Sequence, residues 1–247
     1  MASVVNRQGI IHRRNAAGIS SSPHCLPTNT IASLNRSISC PSNSRALSTE
    51  PEIPSSACTF QVADSAMLTV LQDGGMVEVA TIGREGMVGV SAVIDGNPVS
   101  STVMVQGETD TCYRMKADLF RREVDRRGVF CELLTYYAQA LMGFVMQSTA
   151  CNAVHAVEQR LARWLLIARD GMGTQEFPLT PELVAMMLGA SPPTVTIVAG
   201  TLQKAGLITY HRGHLAIVDG EGLEAAACEC YRATTDLLDG VIEKSRR

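Results

Sequence analysis

The chain lacks an excess of charge of either sign. Its 247 residues include 21 Lys and Arg and 24 Asp and Glu, a formal net charge of −3, and the pI is about 6.0. Blanket attraction to a polyanion is excluded, and any anion-binding face has to be assembled locally. No unbroken apolar run approaches the ~18–20 residues needed to cross a bilayer, so no membrane association is expected. The chain has 8 cysteines, but Cys25, Cys40, Cys58, Cys112, Cys131 and Cys151 are widely scattered. With no secretory signal visible, they read as reduced thiols of a cytoplasmic protein. Catalytic patterns are missing as well. His155, His211 and His214 stand in no nucleophile–base arrangement with Ser or Cys. The glycines of GREGMVG at 83–89 match neither a P-loop nor a dinucleotide fingerprint. No enzyme is expected on these grounds.

Residues 1–57 are rich in Ser, Asn, Pro and Ala. They contain Arg7, Arg13, Arg14, Arg36 and Arg45, with no acidic residue before Glu50. No periodicity runs through them. They read as a disordered basic tail or as an N-terminus foreign to the fold. An organelle transit peptide is a third reading of the same composition. Between 58 and 116 the pattern is strand-like: Ala66–Leu71, a Gln72-Asp73-Gly74-Gly75 turn, Met76–Ile82, then Thr102–Val105 and Thr111–Met115. Short strands separated by glycine turns predict part of a β-roll.

From 117 to 154 the chain reads as helical. An amphipathic entry segment at 117–124 is broken at Gly128. After it Leu134, Tyr137, Leu141, Phe144, Ser148 and Cys151 repeat at 3-4 spacing, an a/d seam. Leu133, Tyr136 and Ala140 widen the apolar surface, so the helix needs cover on more than one face. One face can pack on the roll and another on a twin helix, and a homodimer through the seam is expected. A single central helix of a monomer is the alternative.

The stretch 179–208 carries the most information. Thr180 followed by Pro181, and Ser191 followed by Pro192 and Pro193, mark two helix starts, each an N-cap with proline at the first helical position. Gly189 allows a sharp turn between them. Val195, Val198, Ala199 and Leu202 form one apolar face of the second helix, and Gly206 stands where a C′ glycine ends it. Thr194, Thr196, Ile197, Thr201 and Gln203 are left for the other faces. An ordinary αα corner shares this pattern. The next residues separate the two readings. Leu207–Tyr210 and Leu215–Val218 are strand-like and are joined by His211-Arg212-Gly213-His214. A hairpin beside a second helix that is packed by one face is the arrangement of a winged helix-turn-helix DNA reader. Arg212 at the hairpin tip is placed to meet a phosphate. The helix starts at 181 and 192 are expected to aim N–H groups at phosphates, with the hydroxyls of Thr180, Ser191 and Thr194 as added donors. Trp164, the 1 tryptophan of the chain, reads as a packing anchor, and 221–245 as a closing helix.

Taken together, EQRLARWLL at 158–166, the helix pair at 180–206, KAGLI at 204–208 and the hairpin resemble the Crp/Fnr family of bacterial transcription regulators. The resemblance runs from roughly residue 60 to the C-terminus and is strongest over 155–231. It implies an α+β protein with an incomplete, cyclic-nucleotide-binding-like β-roll at 58–116 and connecting and dimerisation helices at 117–154. A winged helix-turn-helix domain follows at 155–247. The partners it implies are double-stranded DNA, a second copy of the chain, RNA polymerase and a small-molecule effector.

The family's sensor chemistries lack their groups here. In a cyclic-nucleotide site a carboxylate meets the ribose and an arginine fork meets the phosphate. Gly89-Val90-Ser91-Ala92 and Val99-Ser100-Ser101-Thr102 stand in their places. An uncompensated buried phosphate costs several kcal/mol, so no response to cyclic AMP is expected. An iron–sulfur cluster needs grouped cysteines, and haem needs an axial ligand in the roll. Residues 60–115 contain no His and only Cys112. Cys228-Glu229-Cys230 can seed a metal site but has no second ligand pair nearby in sequence. On a helix its thiols would diverge by about 200°. Neither cofactor nor metal is expected. The family's charged base readers are replaced by Pro192, Pro193 and Ile197, which leaves thymine-methyl contacts, Thr196, Thr201 and DNA shape. A small-molecule or protein-binding module with a degenerate DNA reader therefore stays open.

Overall fold

The computed structural model describes residues 4–5, 11–12, 57–60, 65–72, 74–83, 86–90, 101–105 and 113–245. The readings of the 1–57 tail, of the 91–100 segment and of Cys112 fall almost wholly outside them. Strands come first: β1 (Val4–Val5), β2 (Ile11–His12), β3 (Ala57–Phe60), β4 (Ser65–Val70), β5 (Met76–Ile82), β6 (Met87–Val88), β7 (Ser101–Val105) and β8 (Tyr113–Lys116). Helices α1 (Ala117–Asp125), α2 (Val129–Val154) and α3 (Val157–Met172) follow. Then come β9 (Glu176–Pro178), α4 (Pro181–Leu188), α5 (Pro192–Lys204), β10 (Ile208–His211), β11 (His214–Ile217), α6 (Gly220–Ala226) and α7 (Cys230–Ser245). The class is α+β. The strands form open sheets, with β3 antiparallel to both β6 and β8.

Contacts divide the chain into two compact units that do not follow its order. One comprises Met1–Ser65, Ile82–Leu141 and Leu238–Arg247; the other comprises Ala66–Thr81 and Met142–Leu237. In the first, Met87, Met115, Phe120, Phe130 and Tyr137 form the core. The Phe120 and Phe130 rings meet edge to face at 5.0 Å, a favoured quadrupole arrangement. The Tyr137 hydroxyl donates to Met87 O at 2.9 Å and accepts from Met87 N at 3.0 Å, fastening α2 to β6.

This core meets the seam of α2. Tyr137, Phe144, Ser148 and Cys151 are buried within the chain, and Leu134 and Leu141 are half-buried against the Phe120–Phe130 cluster. The chain's own side chains thus cover much of this seam. The opposite side of α2 is the open one, with Tyr136, Met142 and Met146 exposed. Among the described residues α2 is nonetheless long and apolar enough, by length and composition, to cross a bilayer. It has 26 residues and a mean hydropathy of 1.4 in its most apolar window, because scattered Thr, Gln and Ser interrupt the apolar letters without adding charge.

In the second unit α3 is buried from Arg160 through Ala168. Trp164 is the packing anchor expected, and its Nε1 donates to Glu78 Oε2 at 2.8 Å. The Thr81 hydroxyl donates to the same carboxylate. These bonds bring β5 into the C-terminal unit. At the far end, the Tyr231 hydroxyl donates to Asp170 Oδ2 at 2.6 Å and accepts from Arg169 Nη2 at 3.1 Å, docking α7 on α3. Burial first, and then the Asp170 carboxylate, push the Tyr231 phenol from 10.0 to about 12. A raised folded-state pKa favours the protonated form, so its contribution to stability is complete below pH 10.0 and is lost as pH rises towards 12. Unfolding midpoints measured from pH 8 to 12 are expected to fall more steeply for the native chain than for Tyr231→Phe over the upper part of that range. Parallel curves would remove this linkage.

Candidate nucleic-acid interface

The turn between α4 and α5 is built from local rules. Thr180 Oγ1 accepts from Leu183 N at 3.2 Å and Pro181 opens α4, while Gly189 closes it at φ +57°. Ser191 Oγ accepts from Thr194 N at 3.4 Å, and Pro192 opens α5. The two helices are bent by 100° at the break, inside the range of helix-turn-helix pairs. Val195, Ala199 and Leu202 face the core. Arg160, itself buried, reaches from α3 to donate to Leu188 O at 3.0 Å, holding the last turn of α4 in place. α5 ends as expected at Gly206, φ +78°. Leu207 N bonds to Leu202 O and Gly206 N to Gln203 O, each at 3.0 Å, the paired bonds of a Schellman stop.

The wing is tighter than the sequence pattern suggests. β10 and β11 pair from Ile208↔Ile217 to His211↔His214, so only Arg212 and Gly213 form the turn. Both have positive φ, +49° and +81°, as a type I′ hairpin requires. A third strand, β9, pairs with β11 through Leu215↔Phe177 and has no counterpart in the sequence reading. Gln203 Oε1 accepts from Tyr210 N at 2.8 Å and pins the wing to α5. The Tyr210 hydroxyl donates to Leu179 O at 3.1 Å.

The outer face of α5 holds Pro192, Pro193, Thr196, Ile197 and Thr201, all exposed, with Ile197 71% exposed. Thr194 is half-buried at the helix start, and Thr180, Ser191 and Arg212 are exposed. The predicted residues therefore lie on one helix-turn-helix and its wing tip. The donors are fewer than expected. Pro192 and Pro193 carry no N–H, and Thr194 N is taken up by Ser191. Thr196 donates to Pro192 O at 3.0 Å and Thr201 to Ile197 O at 3.3 Å, so each offers its methyl and lone pairs outward. Exposed Lys204 was missed; helical spacing places it about 180° from Val195, on the outer face. Gly200 lies on the same side, and a Cβ there would meet nothing within 4 Å.

A three-helix core with a 100° helix pair and an adjoining hairpin defines a winged helix-turn-helix, a DNA-binding class of fold. Residues 159–226 match the family described as the Crp-like helix-turn-helix domain. Among solved structures the chain is similar to the c-di-GMP responsive global regulator CLP of Xanthomonas campestris: 12% identity, 77% of this chain and 99% of that one, TM-score 0.61. It is also similar to FixK2 of Bradyrhizobium japonicum, with 13% identity, 72% and 90% of the two chains and a TM-score of 0.60. A crp/fnr-family regulator of Eubacterium rectale shows 18% identity, 69% and 80% coverage and a TM-score of 0.57. A search of curated proteins gives no match. The chain thus carries a Crp-like helix-turn-helix domain within the fold of Crp/Fnr-family transcriptional regulators.

Two substitutions probe this surface. Arg212 holds a left-handed backbone that costs a non-glycine residue on the order of 1 kcal/mol. Arg212→Asn is expected to raise the thermal midpoint while weakening DNA binding. Gly200→Ala is expected to add about 1 kcal/mol of helix stability and to lower DNA affinity by placing a methyl on the outer face. Unchanged affinity in both variants would place the DNA elsewhere.

Proposed function

We propose that this chain is a homodimeric, DNA-binding transcription regulator of the Crp/Fnr type that does not respond to cyclic AMP. The observation that carries the reading is the outward face of α5 beside the Arg212 wing tip, on a helix pair matched to the Crp-like domain. Two such readers about a two-fold axis meet half-sites about 34 Å apart. Ile197, Thr196, Thr201 and Thr194 supply apolar and weakly polar base contacts, while Thr180, Ser191, Lys204 and Arg212 face phosphates. Pro192 and Pro193 shape the helix tip. This favours A·T-rich or shape-selected sites. RNA polymerase and an effector other than cyclic AMP complete the expected partners.

The dimer rests on the open side of α2. Thr135, Gln139, Met142, Met146, Thr149 and Ala153 repeat there at 3-4 spacing and are all exposed. The Thr135 and Thr149 hydroxyls donate to Cys131 O and Val145 O, leaving their methyls outward. Such a seam fits a two-stranded coiled coil. A second reading, a binding module with a degenerate reader, is favoured by the two prolines that strip N–H donors from the tip of α5.

Mobility shifts against genomic fragments over a salt series separate the two. A regulator loses affinity steeply with salt, and Lys204→Ala or Arg212→Ala each reduces the salt slope by about 1. No shift at low salt leaves the degenerate reader. Met146→Arg is expected to give monomers in sedimentation without unfolding, because Met146 is 65% exposed. A persistent dimer would place the contact off α2. Micromolar saturation with cyclic AMP would overturn the effector statement.

A further inference from the structure

We propose that Cys151, His155, Cys228 and Cys230 form a mononuclear, tetrahedral metal site of the zinc type. The four donor atoms lie within 4.8 Å of one another, with Cys151, Cys228 and Cys230 buried and His155 half-buried. Cys151 Sγ is 3.5 Å from Cys228 Sγ, and Cys230 Sγ is 3.5 Å from His155 Nδ1. A regular tetrahedron with metal–sulfur bonds of about 2.3 Å has edges of about 3.8 Å, so the donors already stand near their coordinated spacing. A multi-iron cluster, whose cysteines are spread by bridging sulfides, does not fit that span. Three thiolates and an imidazole with no carboxylate donor select a borderline-soft ion with no geometric preference, which is Zn²⁺ rather than Mg²⁺ or Ca²⁺.

The surroundings supply what such a site needs. Gln147 Nε2 donates to Cys230 Sγ at 3.0 Å. Glu229 Oε1 lies 3.2 Å from His155 Nε2, which fixes the tautomer that turns Nδ1 to the ion. Arg163 is 6% exposed, and its Nε and Nη1 have no partner among the described residues. A buried guanidinium needs a counter-charge, and three thiolates around a dication carry net −1. The Arg163 charge acts directly on Cys151 Sγ.

The chain breaks explain the convergence. Cys151 is in the last turn of α2 and His155 in the break before α3. Cys228 lies in the turn after α6, and Cys230 opens α7. The C-x-C pair is thus not on one helix, so the divergence expected of it does not arise. Its missing partners come from the distant C-x-x-x-H at 151–155. The ion would clamp α7 to the α2–α3 junction, independently of whether α5 reads DNA.

The full chain, purified under reducing conditions without chelator, is expected to hold one zinc per chain by elemental analysis. After replacement by Co²⁺ it should show intense visible d–d bands and a thiolate charge-transfer band. The double substitution Cys228→Ser, Cys230→Ser abolishes both signals, while Cys131→Ser, a free thiol outside the group, keeps both. Glu229→Gln keeps the bands but weakens zinc by about 10–100-fold in competition with a chromophoric chelator. This variant decides the matter if the double substitution unfolds. The proposal is overturned by a native chain that holds no zinc and gives only a pale octahedral Co²⁺ spectrum. It is equally overturned if mass spectrometry after thiol blocking finds Cys151 and Cys228 joined as a disulfide instead.

Discussion

The C-terminal unit depends on a helix with no solvent face. α3 is buried without a break from Arg160 to Ala168, so its polar groups have to find partners inside the protein, and among the described residues Arg160 Nε and Arg163 Nε and Nη1 have none. Leu161, Leu165 and Leu166 are essentially inaccessible, and burying each is worth roughly 1.5–3 kcal/mol. Trp164 is answered by Glu78, and Arg160 by Leu188 O and Asn152 Oδ1. The second of these partnerships sets the reader. A cation placed on the last carbonyls of α4 satisfies groups the helix end leaves open. It fixes the direction in which the Gly189 turn launches α5.

The outer face of α5 is lean in donors. The α5 tip spends its first donors on its own cap, and two prolines remove the others. The same residues that make the helix start sharp therefore make it poor in hydrogen-bond donors. What remains outward is a methyl-rich surface, bounded by Lys204 and by the strained Arg212. On the proposed function, apolar complementarity takes the place of charged base reading. This is consistent with a chain whose net charge is −3.

α2 has one covered side and one open side. Its inner face closes on Met87, Met115 and Phe120, and its outer face stays open at Met142 and Met146. A helix apolar on several sides gives no periodic signal for which side meets which neighbour. Both stripes have 3-4 spacing, and only the covering of one by Met87, Met115 and Phe120 distinguishes them.

The helix-turn-helix was legible in the order of residues because its determinants are local. Caps at Thr180 and Ser191, positive φ at Gly189 and Gly206, and the Val195–Ala199–Leu202 stripe all act within a few residues of one another. Lys204 was legible too, from the same helical spacing, and was overlooked. Other features depend on segments far apart in the chain. The bond from Glu78 to Trp164, the covered side of α2, the addition of β9 to the wing, and the meeting of Cys151 and His155 with Cys228 and Cys230 are of this kind. Short-range backbone preference cannot encode them, because long-range packing of α3 and its neighbours decides which distant side chains share a space.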